Sequence, residues 1–214
     1  SDVYKRQVAA NERFINFGYA KRKKRNAMNE YEKMISGELY DYSSPETAGS
    51  WFSCRERLRR FNAAMPYGEE YREALRELIP SIPDTSAIYP PFQCDHGTPI
   101  TVGEHVIVNM NCVFLDGGGI SIGDHTLIGP SCGLYTPQHP IDYIERRKTV
   151  ERGLKITIGS DCWLGGGVTV CPGVTIGDRC IIAAGSVVVH DIPSDSLAAG
   201  NPAVVKRKLN GVKE

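Results

Sequence analysis

The chain has 214 residues, and its 25 Lys and Arg residues are balanced by 25 Asp and Glu residues. This length suits one domain with an appendage, and the balanced charge provides no overall field to attract nucleic acid or a membrane surface. No run reaches the length of a transmembrane helix, and no signal segment opens the chain. We therefore expect a cytoplasmic protein with a small-molecule substrate and with no nucleic-acid or membrane partner.

The first residues carry no pattern of a folded element. Residues 2–7 look like the translated end of a transposon used to prepare sequencing libraries, so we interpret residues 1–27 as a tail or read-through artefact ahead of a start at Met28. A basic run at residues 21–25 could mark a nucleic-acid patch, but a solvated tail explains a lone run equally well. Residues 209–214 are interpreted as a second tail.

Residues 28–82 have a helical period. The pattern predicts helices over 30–35 and 55–61 and a third over 69–78, with Ser36-Gly37 and Pro80 as stop signals. The simplest interpretation is a helical cap over the exposed end of a repeat array, which stacked repeats generally need.

Residues 83–208 are dominated by an aliphatic residue that returns every six positions. Neither the helical period of 3.6 nor the strand period of 2 explains this spacing, whereas a solenoid of short strands and turns does. A glycine often follows the aliphatic residue, and a small or β-branched residue stands four places after it. The aliphatic series is Val102, Val108, Phe114, Ile122, Ile128, Leu134, Ile158, Leu164, Val170, Ile176, Ile182 and Val188.

Cysteines share the small position of the hexads. Because Cys112, Cys132, Cys162 and Cys180 all occupy it, we expect them to be core residues and not disulfide or metal ligands. Cys54, Cys94 and Cys171 lack the spacing of a zinc site.

The hexads resemble those of the hexapeptide-repeat acyltransferases, most plainly at residues 122–127 and 176–181. This resemblance implies a mainly β fold, a left-handed parallel β-helix, with an N-terminal α-helical segment and an extended loop. One step of eight residues between Phe114 and Ile122 predicts a bulged corner at residues 117–119.

The segment before the repeats, residues 34–41 and 60–62, resembles the maltose-acetyltransferase-type segment of sugar O-acetyltransferases. In that family the segment lies beside the acceptor sugar, and Asp41 falls near a sugar-contacting aspartate. Asp41 could equally be a helix N-cap. Ser53 stands where some members carry an arginine.

One long interruption of the period begins with Thr136-Pro-Gln-His-Pro140 and continues to Lys155. Long loops in compact domains are often functional, and an imidazole can take up and release a proton near neutral pH. A surface histidine without a role is the alternative. The resemblance to the family's Thr-x-x-His-Pro motif implies that His139 is the general base.

Two further stretches resemble the family's binding sites. On the acceptor side the resemblance implies substrate contacts for Asp95, Asn109 and Asp116, of which the first two could otherwise be turn residues. On the donor side it implies a coenzyme A groove, with Val204 replacing a family arginine and Lys206 or Lys208 able to compensate. The donor-side residues are Gly166, whose backbone N–H would serve the thioester, and Ala184, Val189, His190 and Arg207.

The resemblance as a whole implies an acetyl-CoA-dependent O-acetyltransferase for a sugar or related acceptor, which needs no metal and assembles as a homotrimer with sites between subunits. Two alternatives stay open. A γ-carbonic-anhydrase-like zinc enzyme would use His105 and His125, which share a turn position in adjacent coils, although no third ligand is in register. A non-catalytic hexapeptide-repeat scaffold would bind no coenzyme A.

Overall fold

The structure is a computed structural model, and it describes residues 28–209. The interpretations of residues 1–27 and of nearly all of the C-terminal tail lie outside the described residues. Among the helices at 28–209, none combines the length and the apolar character that crossing a membrane requires.

Three helices and one strand form the cap. They are α1 (Glu30–Ser36), β1 (Leu39–Asp41), α2 (Pro45–Ala63) and α3 (Glu69–Leu78). Asn29 and Glu32 form a capping box at the start of α1, and Gly37 ends that helix with φ of 80°. Ser44 caps α2 through the N–H of Thr47, so α2 starts ten residues before the predicted segment 55–61. The predicted bounds of the third helix are confirmed.

Short strands make up the rest of the described chain. They are β2 (Ala87–Ile88), β3 (Phe92–Cys94), β4 (Ile100–Val102), β5 (Ile107–Val108), β6 (Cys112–Leu115), β7 (Ile120–Ile122), β8 (Leu127–Ile128), β9 (Gly133–Tyr135), β10 (Pro137–Gln138), β11 (Val150–Gly153), β12 (Ile156–Ile158), β13 (Trp163–Leu164), β14 (Thr169–Val170), β15 (Thr175–Ile176), β16 (Ile181–Ile182), β17 (Val187–Val188), β18 (Ser196–Gly200) and β19 (Ala203–Lys208).

Apart from β10 and β11, these strands stack into three mainly parallel sheets that form the sides of a solenoid of about six turns. A seven-stranded sheet has the order β19-β18-β16-β13-β8-β5-β2, a five-stranded sheet β17-β14-β9-β6-β3, and a four-stranded sheet β15-β12-β7-β4. Only the β18–β19 pair among them is antiparallel within the described residues. The predicted mainly β, parallel solenoid with an N-terminal helical segment is confirmed.

The predicted core is confirmed at every aliphatic hexad position, from Val102 to Val188, all of which are buried. The second inward position is buried as well, including Cys112, Cys132, Cys162 and Cys180. All seven cysteines are free thiols. Cys54 and Cys94 nevertheless meet at the cap, with their Sγ atoms 3.6 Å apart, a contact that sequence spacing did not indicate.

Glycine follows the aliphatic residue because consecutive coils approach closely there. A Cβ at Gly123 would lie 2.6 Å from the backbone nitrogen of Ser160, and one at Gly129 would lie 2.6 Å from that of Gly166. Left-handed backbone occurs at the turns instead, for example at His125 with φ of 56°. These glycines are therefore required by close backbone approach and not by positive φ.

The bulged corner predicted at residues 117–119 is confirmed. The N–H of Gly119 donates to the carbonyl oxygen of Asp116 at 2.8 Å, and Gly119 has φ of 85°. Gly118 lies directly against β11, since a Cβ there would be 2.4 Å from the carbonyl carbon of Gly153. The extra residues thus give β11 a place to dock.

The long interruption is folded back onto the cap. It contains β10, a short 3-10 helix (Glu145–Arg147) and β11, and β11 pairs antiparallel with both β10 and β1. This three-stranded sheet joins the cap to the solenoid and positions the start of the loop.

Candidate active site

A cleft of about 400 Å³ opens where the cap meets the loop and the solenoid. Its volume lies within the range of small-molecule sites. The cleft brings together His139 and Asp95, which the sequence had predicted as site residues. The complete lining is Tyr40, Tyr42, Thr47, Ala48, Trp51, Phe52, Asp95, His96, His139 and Glu151.

His139 stands at the end of β10, where its pairing with β11 brings it beside Glu151. Its Nε2 lies 3.5 Å from Oε2 of Glu151, and its side chain is 51% exposed. The ring of Tyr42 packs edge-on against the imidazole, with ring centroids 6.1 Å apart. The imidazole is therefore held by two neighbours yet remains open to the cleft.

Glu151 is the buried partner of this pair, with only 12% of its side chain exposed. Burial raises the pKa of Glu151, although the bond from Tyr40 and the proximity of His139 act in the opposite direction. The Tyr40 hydroxyl donates to Oε1 of Glu151. The carboxylate thus contacts a buried phenol on one side and faces the imidazole on the other.

Asp95 lies on the solenoid side of the cleft, at the end of β3. The Trp51 indole N–H donates to its Oδ1 at 3.3 Å. Burial raises the pKa of Asp95, even though the nearby Arg55 guanidinium and the Trp51 bond lower it. A partly buried carboxylate in this position can accept hydrogen bonds from a polar ligand.

Asp116 lies behind this wall and does not line the cleft. Its carboxylate is fully buried and accepts the backbone N–H groups of Asp95, His96 and Gly97 at 2.7–2.9 Å. Burial raises its pKa to about 6, against the effect of those hydrogen bonds. Its position supports the turn that carries Asp95.

His96 is a second imidazole in the same cleft. Its Nδ1 lies 3.0 Å from the hydroxyl oxygen of Ser50. Burial, together with the charges of Arg55 and Arg57, lowers its pKa to about 4. His96 is therefore neutral near pH 7. It is buried, whereas His139 is exposed to the cleft.

Asp41 ends β1 near the cleft but is not part of its lining. Its Oδ1 accepts from the N–H and hydroxyl of Ser43 at 2.9 and 2.7 Å and from the Thr149 hydroxyl at 2.8 Å. The N-cap of α2 is Ser44, so the N-cap alternative for Asp41 is wrong. Ser53 is exposed on α2 and does not line the cleft, whereas Trp51 does.

The remaining predicted residues divide between two edges of the solenoid. The first edge consists of residues that follow strands of the seven-stranded sheet, and the second edge of those that follow the five-stranded sheet. Register stacks Val108, Ile128, Leu164 and Ile182 side by side, which places Asn109, Gly166 and Ala184 on the first edge.

The five-stranded sheet ends at the second edge in the same way. Val188 shares a row with Leu134 and Phe114. Val189 and His190 therefore lie on the second edge, along which Asp95, Asp116 and the start of the His139 loop also stack. Within one chain, the cleft that contains His139 and Asp95 therefore lies on a different edge from Asn109, Gly166 and Ala184.

A backbone amide on the first edge and a guanidinium on β19 of the same sheet are free to meet a ligand. The N–H of Gly166 donates to no carbonyl within residues 28–209, and Ala184 is exposed. Arg207 lies on β19 opposite Leu197, and Val204 is exposed on the same strand. A free amide and an exposed guanidinium are groups that can meet an oxyanion and a phosphate.

The predicted histidine pair does form. The rings of His105 and His125 stack with centroids 4.8 Å apart, at turns with positive φ. In the part of the chain that the structure describes, no cluster of three or more His, Cys, Asp or Glu residues is arranged to hold a metal.

Sequence reasoning missed Tyr40, Tyr42, Trp51 and Glu151. Tyr40 and Glu151 are 111 residues apart, and only the β1–β11 pairing brings them together. Trp51 carried no signal of its own, since single exposed apolar side chains are common on protein surfaces.

Comparison with known proteins agrees with this architecture. The family model described as a maltose acetyltransferase hexapeptide capping motif matches residues 33–83, and the model for the bacterial transferase hexapeptide (six repeats) matches residues 155–190. Nodulation protein L of Rhizobium meliloti is 39% identical over 176 residues, which cover 82% of this chain and 96% of that protein.

Two solved structures are similar over most of the chain. A maltose O-acetyltransferase from Clostridium difficile 630 gives a TM-score of 0.84 at 39% identity, covering 86% of this chain and 100% of the other. A hexapeptide-repeat acetyltransferase from Vibrio cholerae, complexed with acetyl coenzyme A, gives 0.81 at 40% identity, with the same coverage.

The capped solenoid and its cleft therefore define a hexapeptide-repeat transferase. The chain belongs to the hexapeptide-repeat acetyltransferases of the maltose acetyltransferase family, and it is an acetyltransferase. This membership favours the transferase over the zinc-enzyme and scaffold alternatives.

Proposed function

We propose that the protein transfers acetyl from acetyl-CoA to a hydroxyl of a sugar or related acceptor, with His139 as the general base. The observation that carries this proposal is the convergence of His139, Glu151 and Asp95 on one cleft beneath the cap. The acetyl-CoA complex of the Vibrio relative supports the choice of donor.

His139 accepts the proton of the acceptor hydroxyl, and the hydroxyl oxygen attacks the thioester carbonyl carbon. The Gly166 N–H stabilises the negative charge that develops on the carbonyl oxygen. When the carbon–sulfur bond breaks, His139 returns the proton to the leaving thiolate, so the products are an O-acetyl ester and free coenzyme A. Glu151 stabilises the imidazolium that forms between these steps.

The cleft supplies separate positions for recognition and for support. Asp95 binds acceptor hydroxyls, and Asp116 holds the Asp95 turn through three backbone bonds. Asp41 keeps β1 in place through Ser43 and Thr149 and so borders the acceptor. Residues 28–82 act as the cap domain and residues 83–208 as the solenoid acyltransferase domain.

A neighbouring subunit of a homotrimer completes this site. Gly166 and Ala184 of the donor side, together with Asn109 of the acceptor side, lie on a different edge from His139, so one chain alone does not bring both halves together. The seven-stranded sheet also exposes Ile107, Leu127 and Trp163 in one register row. The matching row of the four-stranded sheet is polar: Thr101, Ser121, Thr157 and Thr175.

Such an apolar row favours contact with another copy. A heterologous contact that closes on itself gives a cyclic oligomer. Val189, His190 and Arg207 then line the coenzyme A groove where the two edges meet, with Arg207 suited to phosphate.

The test is His139→Ala, assayed with acetyl-CoA and a panel of maltose, galactosides, amino sugars and nodulation oligosaccharides. Turnover should fall by at least about a hundredfold, while calorimetry still detects coenzyme A binding. His96→Gln removes the other imidazole of the cleft and tests whether His96, and not His139, is the general base. His105→Asn, at an exposed turn, serves as the control. Full turnover by His139→Ala would overturn the assignment of the base.

A further inference from the structure

The cap presents an aromatic wall to the cleft. Trp51 and Phe52, consecutive residues of α2, line the cleft and are 37% and 54% exposed. Tyr42 lines the cleft beside them. Large aromatic side chains left in contact with water inside a cleft mark a surface that a ligand covers.

Trp51 is fixed in position before any ligand arrives. The Arg55 guanidinium lies 4.5 Å from the centroid of the indole, and the indole N–H donates to Oδ1 of Asp95. The ring of Phe52 meets it edge-on, with centroids 5.3 Å apart. A cation, a hydrogen bond and an aromatic edge therefore orient the ring, and its remaining surface faces the cleft.

The hydrogen bond to Asp95 sets an apolar ring directly beside a carboxylate. A ligand that covers both must offer an apolar face next to hydroxyl donors. A pyranose ring does so, because its C–H groups can pack on an indole while its hydroxyls donate to a carboxylate. An acyclic polyol has the hydroxyls but loses conformational entropy when it is held flat against the ring.

We propose that Trp51 is a specificity-determining residue that stacks on the ring of the acceptor, so that the enzyme selects cyclic pyranosides over acyclic polyols. This inference rests on the proposed function, since it names the acceptor class of the same cleft. Arg55 acts as a positioning residue for the indole.

The experiment separates binding from turnover. The chain has two tryptophans, Trp51 and Trp163. In Trp163→Phe, Trp51 is the only tryptophan, and maltose, methyl galactoside and sorbitol are titrated against its emission. A pyranoside should change the emission saturably, whereas sorbitol should give no saturation at the same concentrations.

Steady-state kinetics with the otherwise natural chain supply the second readout. Trp51→Ala should raise the KM for the pyranoside by about tenfold or more and change kcat by less than about threefold, since stacking is uniform binding. Trp51→Phe should restore most of the loss. Tyr67→Ala, an exposed aromatic outside the cleft lining, is the matched control and should have wild-type KM.

The two ideas fail separately. Pyranoside turnover with no response of the Trp51 emission, equal saturation by sorbitol, or an unchanged KM in Trp51→Ala would each overturn the stacking proposal alone. Pyranoside binding at Trp51 without acetyl transfer by the wild type would overturn the proposed function alone. The absence of both binding and transfer across the panel would overturn both.

Discussion

Tyr40 and Glu151 lie directly opposite each other in the antiparallel pair formed by β1 and β11, and the Tyr40 hydroxyl donates to the Glu151 carboxylate. The second oxygen of Glu151 is 3.5 Å from Nε2 of His139. A strand of the cap thereby fixes the carboxylate that faces the candidate base. Docking of the cap is thus linked to the geometry of the proposed reaction.

Replacing Glu151 by Gln tests this link. The amide keeps the shape and can still accept the Tyr40 hydrogen bond, but it loses the charge that stabilises the imidazolium. We expect kcat to fall by about ten- to a hundredfold, since support of a general base is worth part of the base's own contribution, with coenzyme A affinity unchanged. Glu145→Gln, an exposed loop residue, is the control. Wild-type kcat in Glu151→Gln would contradict the role.

Co-expression of two inactive variants tests whether the site lies between subunits. His139→Ala removes the base on the second edge, and Ala184→Trp fills the proposed donor groove on the first edge. If assembly is cyclic, each mixed trimer should recover activity at about one third of its sites, whereas each variant alone stays inactive. Differently tagged chains isolate the mixed species. No recovery in purified mixed trimers would show that both residues serve one chain's site.

The pH dependence of stability should report Asp116. Burial raises its pKa in the folded state to about 6, above the ordinary 3.8. Between these values the folded protein binds the proton more strongly, so this group stabilises the fold as pH falls from 7 to 4. The unfolding free energy of the wild type, relative to that of Asp116→Asn, should therefore rise as the pH falls from 7 to 4, by on the order of 3 kcal/mol at most.

Urea unfolding of both proteins at several pH values measures this difference. The titration of His96 is present in both proteins and largely cancels. A difference that stays constant from pH 7 to 4 would mean that Asp116 has no raised pKa.

Two glycine substitutions should have opposite effects on stability. Gly118→Ala places a Cβ 2.4 Å from the Gly153 carbonyl carbon, so β11 must shift, at a cost of about 1–3 kcal/mol. Gly49→Ala lies in the second turn of α2 with open space around it and should stabilise the protein by up to about 1 kcal/mol. Denaturant midpoints check both. Equal effects would contradict the close docking of β11.

The repeat was predictable because its cause is local. Each hexad buries one aliphatic side chain, so the aliphatic hexad positions from Val102 to Val188 are in the core however the coils are arranged. The same hexad register also predicted that four cysteines lie in the core. Gly37 and Pro80 likewise marked helix ends through their own backbone preferences. His139 stood out because it lies in the one long break of the period and within a segment, Thr136-Pro-Gln-His-Pro140, that resembles the family's Thr-x-x-His-Pro motif.

The sequence by itself therefore determined the capped parallel solenoid and pointed to His139. Only the tertiary structure decided its neighbours. Glu151 and Trp51 belong to segments whose local pattern carries no functional signal, and they reach the cleft through the β1–β11 pairing and the packing of α2 on β3. Long-range pairing depends on the summed fit of two distant surfaces, which no periodicity within either segment records.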